Sequence, residues 1–209
     1  MIVDHTAFVF FTQITILRIF GRLAFPLFAF FISEGFLKTS NRQKYLLRLF
    51  LFAVVSQIPY IFMIRAGGGV GTQLNIFFTL SAGLLGLILI DKYKNIYTRV
   101  FIVLFLIYIS IALRFEYGAY GMILMFSSYL FMLNHLKGLL VITVSSAVNA
   151  IYRFQALGTY LQIFALGAFP FMYLYNGQKG TSNYKNWFYY IYPVHMLALA
   201  ILDYYVGYY

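Results

Sequence analysis

The sequence predicts an all-α protein, a polytopic transmembrane helical bundle of about nine spans. Three observations carry that reading. Apolar residues make up 63% of 209 positions and charged residues only 10%, with a mean hydropathy of +0.83. A soluble domain carries roughly 25% charged residues, so most of this chain does not meet water. The apolar residues fall into runs near 1–14, 23–37, 45–64, 73–90, 99–113, 117–133, 138–152, 157–175 and 186–206. A spanning helix needs about 20 such residues. The basic residues, finally, sit mainly in the short connections between runs, where membrane proteins carry their orienting charges.

Taken in order, the first run starts at Met1, is short for a span and is interrupted by Asp4 and His5. Without a basic lead-in it does not read as a signal peptide. No internal repeat or low-complexity linker divides the chain, so residues 1–209 form one membrane domain. The connections at 38–48, 91–99, 134–138 and 176–185 hold ten Lys and Arg; Arg18, Arg22, Arg65, Arg114 and Arg153 make five on the other side. That asymmetry puts the first set in the cytoplasm, the N-terminus inside and the C-terminus outside. The 20 Tyr fit interfacial belts, and the expected location is a bacterial cytoplasmic membrane.

Several function classes drop out. No cysteine is present, which excludes disulfides, thiolate catalysis and cysteine metal sites. No metal is expected. The net charge of +10 is explained by membrane orientation, and no basic face with stacking aromatics points to nucleic acid. The Gly-rich stretch RAGGGVGT at 65–72 lacks the Lys–Ser/Thr of a phosphate-binding loop and reads as an outer connection.

Chemistry is expected where ionisable groups interrupt apolar runs, because such groups are costly against lipid and usually face the bundle interior. Asp4, His5, Glu34 and His195 do so; Asp91 and Glu116 fall in connections and read as solvated. At 1.5 Å per residue His5 lies about 10–12 Å inside the outer edge, and His195 about 14 Å from the inner one. The two histidines therefore reach a common level. Pro193 precedes His195 and interrupts the backbone bonding there. Asp4 and His5 are adjacent and point about 100° apart on a helix, so Asp4 need not orient His5.

Two further clusters stand out. At the inner edge Glu34 and Lys38, and Lys44 and Arg48, are spaced i,i+4 on shared helix faces. With Arg42, and with Asn176 and Lys179 of the YNGQKG loop, they form either a phosphate clamp for a cytosolic cofactor or plain positive-inside anchoring. Near the outer edge Arg18 and Arg22 repeat the i,i+4 spacing and could grip an acidic acceptor or lipid headgroups.

The run RIFGRLAFPLFAFFISEGFLKTSNRQKYLLRLFLFAVVSQIPY, from Arg18 to Tyr60, resembles the TraX family. So do VDH at Val3–His5, LNIFFTL at Leu74–Leu80, EYGAYG at Glu116–Gly121, YNGQKG, and FYYIYPVHMLAL at Phe188–Leu199. Together these segments cover almost the whole chain in order. The resemblance implies a membrane acetyltransferase related to a pilin N-acetylating protein. A broader similarity to transmembrane acyltransferases implies His5 as the catalytic histidine, with Phe28–Phe36, Arg42–Arg48 before Pro59, and Tyr192–His195 matching later segments.

Acetyl transfer from a thioester needs a base, an oxyanion donor and a grip on the thioester. Histidine suits the first role, its ordinary pKa lying near 6.5. His5 is the candidate base, and Asp4 or another buried carboxylate such as Glu34 would fix its tautomer. Asn75, Tyr192 or His195 would contact the oxyanion. The acetyl-CoA phosphates would meet the inner basic cluster. The expected partners are acetyl-CoA, the bilayer and an amine or hydroxyl acceptor such as a protein N-terminus or an amino sugar. A small transporter and a non-enzymatic assembly factor are the competing readings. Cofactor binding separates the first, and the effect of replacing His5 separates the second.

Overall fold

The computed structural model describes residues 1–178 and 187–207, and every regular element among them is helical. The order is α1 (Ile2–Phe10), α2 (Thr15–Arg22), α3 (Ala24–Lys38), α4 (Arg42–Ala66), α5 (Ile76–Lys92), α6 (Ile96–Ala112), α7 (Gly118–Leu133), α8 (His135–Leu157), a 3-10 segment (Leu161–Ala168) running into α9 (Phe169–Tyr173), and α10 (Trp187–Val206). Three stretches among the described residues are long and apolar enough to cross a membrane: Thr15–Lys38, Arg42–Ala66 and His135–Ala156. Shorter apolar helices cover Ile96–Ala112, Gly118–Leu133 and Leu161–Tyr173.

Asparagine starts several of the helices. The side chains of Asn41, Asn75, Asn95 and Asn134 accept from the backbone N–H groups of Lys44, Phe77, Tyr97 and Lys137, at 2.8 to 3.0 Å. Each satisfies a donor that the first helical turn leaves free. Gly158, at φ 65°, ends α8 in the left-handed conformation that glycine adopts without strain. Near the N-terminus the chain departs from a simple run. It breaks at 11–14, and α2 sets Arg18 and Arg22 inward while Ile16 and Phe20 face out.

α5 and α7 form the centre. Their glycines bring the helices close: Gly83 faces Met125, Gly86 faces Phe126 and Leu106, and Gly121 faces Thr79 and Phe25. Small residues at such crossings are the usual route to tight packing in lipid, where burial between helices gains little from excluding water. α4 packs on α10 and α5, α7 on α8 and α3, and α1 on α2. The outward faces stay apolar, with Leu51, Val55 and Ile58 on α4 and Phe101, Leu104 and Tyr108 on α6 all exposed. In water that surface would be an aggregation hazard; against lipid tails it is the expected coat.

Side-chain contacts define two ends. Lys38 donates to the Gly177 carbonyl, Arg42 pairs with Asp91, and Arg48 lies over Tyr189, which together make a basic end. The opposite end gathers Phe8, Arg22, the loop 67–73, Glu116, Arg153 and Gln162 around one cavity, the glycine-loop end.

Candidate functional site

His5 and His195 meet. His5 sits on α1 and His195 on α10, and the Nδ1 of His5 lies 2.8 Å from the Nε2 of His195. The rings meet edge to edge and nearly coplanar, centroids 5.1 Å apart and planes 13° from parallel. On its far side His195 places Nδ1 2.7 Å from the carbonyl of Ile191, one turn back on α10. A carbonyl only accepts, so His195 Nδ1 carries a proton. With His195 neutral, its Nε2 is a lone pair and must accept from Nδ1–H of His5. The Nε2 of His5 is then also a lone pair, and no group among the described residues hydrogen-bonds it. The hydrogen-bond direction thus fixes both tautomers and leaves one basic nitrogen. α10 stays helical through Pro193, so the interruption expected there is confined to the missing N–H.

His5 lines a cavity of about 460 Å3 that opens between Phe8, the loop Gly69–Gln73 and Arg153. A narrow adjoining space of about 10 Å3 continues it past Met1, Ala24, Phe25, Ile76 and Tyr192. Among the described residues Asp4, His5, Glu116 and Tyr117 line both, which makes them the floor of the larger space. The Tyr192 ring is 6.4 Å from that of His5 and sits edge-on to Phe77. Its hydroxyl is buried beside the Ile76 backbone N–H, with no partner in good hydrogen-bond geometry among the described residues.

Asp4 does not serve His5. Its two oxygens each accept from Nη2 of Arg22 at 2.9 Å, and Arg18 Nε lies 3.8 Å away. Gly21 makes this possible: a Cβ there would stand 2.1 Å from Cβ of Asp4. Arg18 and Arg22, expected as substrate contacts, therefore line the cavity with one carboxylate already between them.

The chain resembles known proteins along most of its length. The family model described as TraX protein matches residues 1–203. The chain belongs to the TraX family. It is also 30% identical, over a 230-residue alignment covering 96% of this chain and 89% of the relative, to a protein of Dichelobacter nodosus named probable fimbrial assembly protein FimC, serogroup H1. No solved structure matches it.

In this TraX family member the other expected site residues lie apart from the histidines. Glu34 is ten residues along α3 from Ala24, about 15 Å by helical rise, and pairs with Lys38 at 2.6 Å. It does not reach His5. Asn75 uses both amide protons elsewhere, on the Ala53 carbonyl at 2.7 Å and Gln57 Oε1 at 2.8 Å, while its oxygen caps α5. No donor remains for an oxyanion. Arg42 binds Asp91 at 2.6 Å and covers the Phe36 ring at 4.1 Å. Arg48 lies over Tyr45 and Tyr189, Lys44 is exposed, and Asn176 closes a local turn on Gln178 N. Lys179 lies outside the described residues.

The expectation for Glu116 is overturned as well. Glu116 is in a connection, as read from the sequence, but it is not solvated: its Oε2 is buried and without a hydrogen-bond partner among the described residues, at the cavity floor. The backbone explains why. Glu116 N donates to the Leu74 carbonyl at 2.9 Å, and Leu74 N to that of Arg114 at 3.1 Å, forming a bridge that folds the connection inward. Arg114 takes a left-handed φ of 53° to allow it. Tyr60 and Arg153 also line the cavity without having been singled out. Of the three, only Glu116 carried a signal, as one of five acids and the first residue of EYGAYG.

Proposed function

We propose that this TraX family membrane protein is an acetyltransferase. It moves an acetyl group from cytosolic acetyl-CoA to an amine at the glycine-loop end, with His5 as general base. The observation that carries the reading is the fixed tautomer chain from the Ile191 carbonyl through His195 to His5, which leaves one lone pair beside a polar cavity inside an apolar bundle. A structural hydrogen bond between helices needs no such cavity.

In this mechanism the Nε2 of His5 takes the proton of the acceptor amine as its nitrogen bonds to the thioester carbonyl carbon. The Tyr192 hydroxyl, whose proton meets no acceptor among the described residues, donates to the developing oxyanion. His195 accepts from Nδ1 of the His5 imidazolium throughout, the role a carboxylate has in hydrolase triads. When the C–S bond breaks, the proton returns from His5 to the departing thiolate. Lys44, Arg48 and their basic neighbours would meet the donor's phosphates from the cytoplasm, and the acceptor would enter past loop 67–73 from outside. Taking the nine apolar runs as crossings, the ten-to-five distribution of Lys and Arg puts the N-terminus inside and the C-terminus outside. The fimbrial-assembly name of the relative favours a pilin or fimbrial subunit as the amine-bearing partner.

The deciding experiment supplies labelled acetyl-CoA and a panel of amine acceptors to the purified protein in lipid nanodiscs. Label should pass to an amine, and the transfer should be lost in His5→Ala. Absence of both donor binding and transfer would overturn the reading in favour of a transporter or a scaffold.

A further inference from the structure

A carboxylate buried without a partner is costly and usually survives only where something completes it. Glu116 is such a group. The Ile76 backbone N–H lies beside its carboxyl, but among the described residues its Oε2 has no partner in good hydrogen-bond geometry and no ion pair includes it. Arg22 is near enough to favour the Glu116 charge, but it directs Nη2 to both oxygens of Asp4, Arg18 leans on the same carboxylate, and neither of them nor Arg153, which also lines the cavity, forms an ion pair with Glu116 among the described residues. Asp4 and Glu116 are the acids that line the cavity among the described residues, so Glu116 is the one left to receive a cation. Its position is built in: the backbone bridge to Leu74 holds it at the floor, beside the histidine that lines the same space.

We infer that Glu116 is the anchor for a primary ammonium group entering this cavity. An ammonium supplies both the charge and the N–H donors that the carboxylate lacks; a hydroxyl supplies only one donor, and a quaternary ammonium none. The assignment deepens the acetyl-transfer reading, since it rests on that reading for the fate of the amine, though not for its binding. Glu116 is a positioning residue: it holds the ammonium at the floor, the nitrogen gives one proton to solvent to expose its lone pair, and His5 takes the second as the bond to carbon forms.

The test needs no acetyl donor. The purified protein is melted in detergent with methylammonium chloride, with tetramethylammonium chloride or sodium chloride at equal ionic strength, and with methanol. A ligand that binds the folded state raises its melting temperature. Methylammonium alone should give a saturable rise. In Glu116→Gln its half-saturating concentration should increase by about tenfold to a hundredfold, the scale of a lost charge-assisted contact. Without ligand, the Glu116→Gln variant should melt no lower than wild type, because the substitution removes a buried charge that no ion pair holds. Glu116→Asp, which keeps the charge, should retain the response. No rise with methylammonium, an equal rise with tetramethylammonium, or an unchanged response in Glu116→Gln each overturns the assignment. If the response behaves as expected while acetyl transfer fails, the amine site stands and the acetyltransferase reading falls.

Discussion

At the basic end of the bundle, Lys38 is paired with Glu34, Arg42 and Lys94 share Asp91, and Arg48 rests on two tyrosine rings. At the glycine-loop end, Arg22 and Asp4 are turned inward with side chains 18% and 15% exposed, and Glu116 and Tyr192 keep buried polar atoms unpaired among the described residues. The first pattern is that of charges solvated by water and neighbours, where a pair contributes only about 0–1 kcal/mol. The second concentrates desolvated groups around one cavity, an arrangement costly enough that it marks a site. Charge number alone would have ranked the ends the other way.

The comparison breaks first on sidedness, an all-or-none outcome. The chain has no cysteine, so single cysteines at Ser40 and at Val70, both exposed, report one end each. They should label from opposite sides of the membrane, Ser40 from the cytoplasm. Labelling of both from one side would end the topology on which donor and acceptor entry depend. Next in size is His5→Ala, which should lower turnover by about 10²- to 10⁴-fold, the usual contribution of a placed base, with acetyl-CoA affinity nearly intact. A folded variant with near-normal turnover would remove His5 from the mechanism and leave the cavity without its base.

A third effect is on stability. Asp4→Asn removes the partner of a mostly buried guanidinium and should destabilise the fold by about 3 kcal/mol, read as a lower denaturation midpoint. Gly21→Ala should act in the same direction, because the added Cβ displaces Asp4 from Arg22. A reversal of any pair at the basic end should cost far less. If Asp4→Asn and a basic-end variant such as Asp91→Asn lose equal stability, the contrast between the two ends is not one of burial.

Smaller again is His195→Ala. It removes one neutral hydrogen bond, worth about 1 kcal/mol, so turnover should fall by roughly fivefold to tenfold while the His5 base survives. If His195→Ala is instead the inactive variant and His5→Ala is not, the base lies on α10 and His5 is not the proton acceptor.

The helical bundle and the histidine pair were legible in the sequence for the same reason. Apolar periodicity and a fixed rise per residue place His5 and His195 at one depth, and the structure brings them into contact. The break at 11–14 was not legible, since Phe11 and Ile14 continue the apolar run and only packing turns α2 inward. Glu116 was misread because position in a connection was equated with exposure; the fold of that connection depends on its pairing with the distant Leu74. Asn75 looked available for substrate because its use by Gln57 and Ala53 is a tertiary fact.

The smallest effect concerns what the basic end is for. Lys44 is exposed and Arg48 has no acid within ion-pair distance among the described residues, so of the cluster these two are the cations most available to an anionic donor. Reversing both to Glu should weaken acetyl-CoA binding by about tenfold at low salt, since each exposed charge contributes at most about 1 kcal/mol. The deficit should shrink as ionic strength rises, because at 0.15 M the screening length is already about 8 Å. The methylammonium response at Glu116 should not change, which separates donor binding from acceptor binding. The variant also weakens the positive-inside signal, so the Ser40 and Val70 labels must first show its orientation unaltered. With orientation intact, an unchanged acetyl-CoA affinity would return Lys44 and Arg48 to membrane anchoring and move the donor's phosphates to another part of that face.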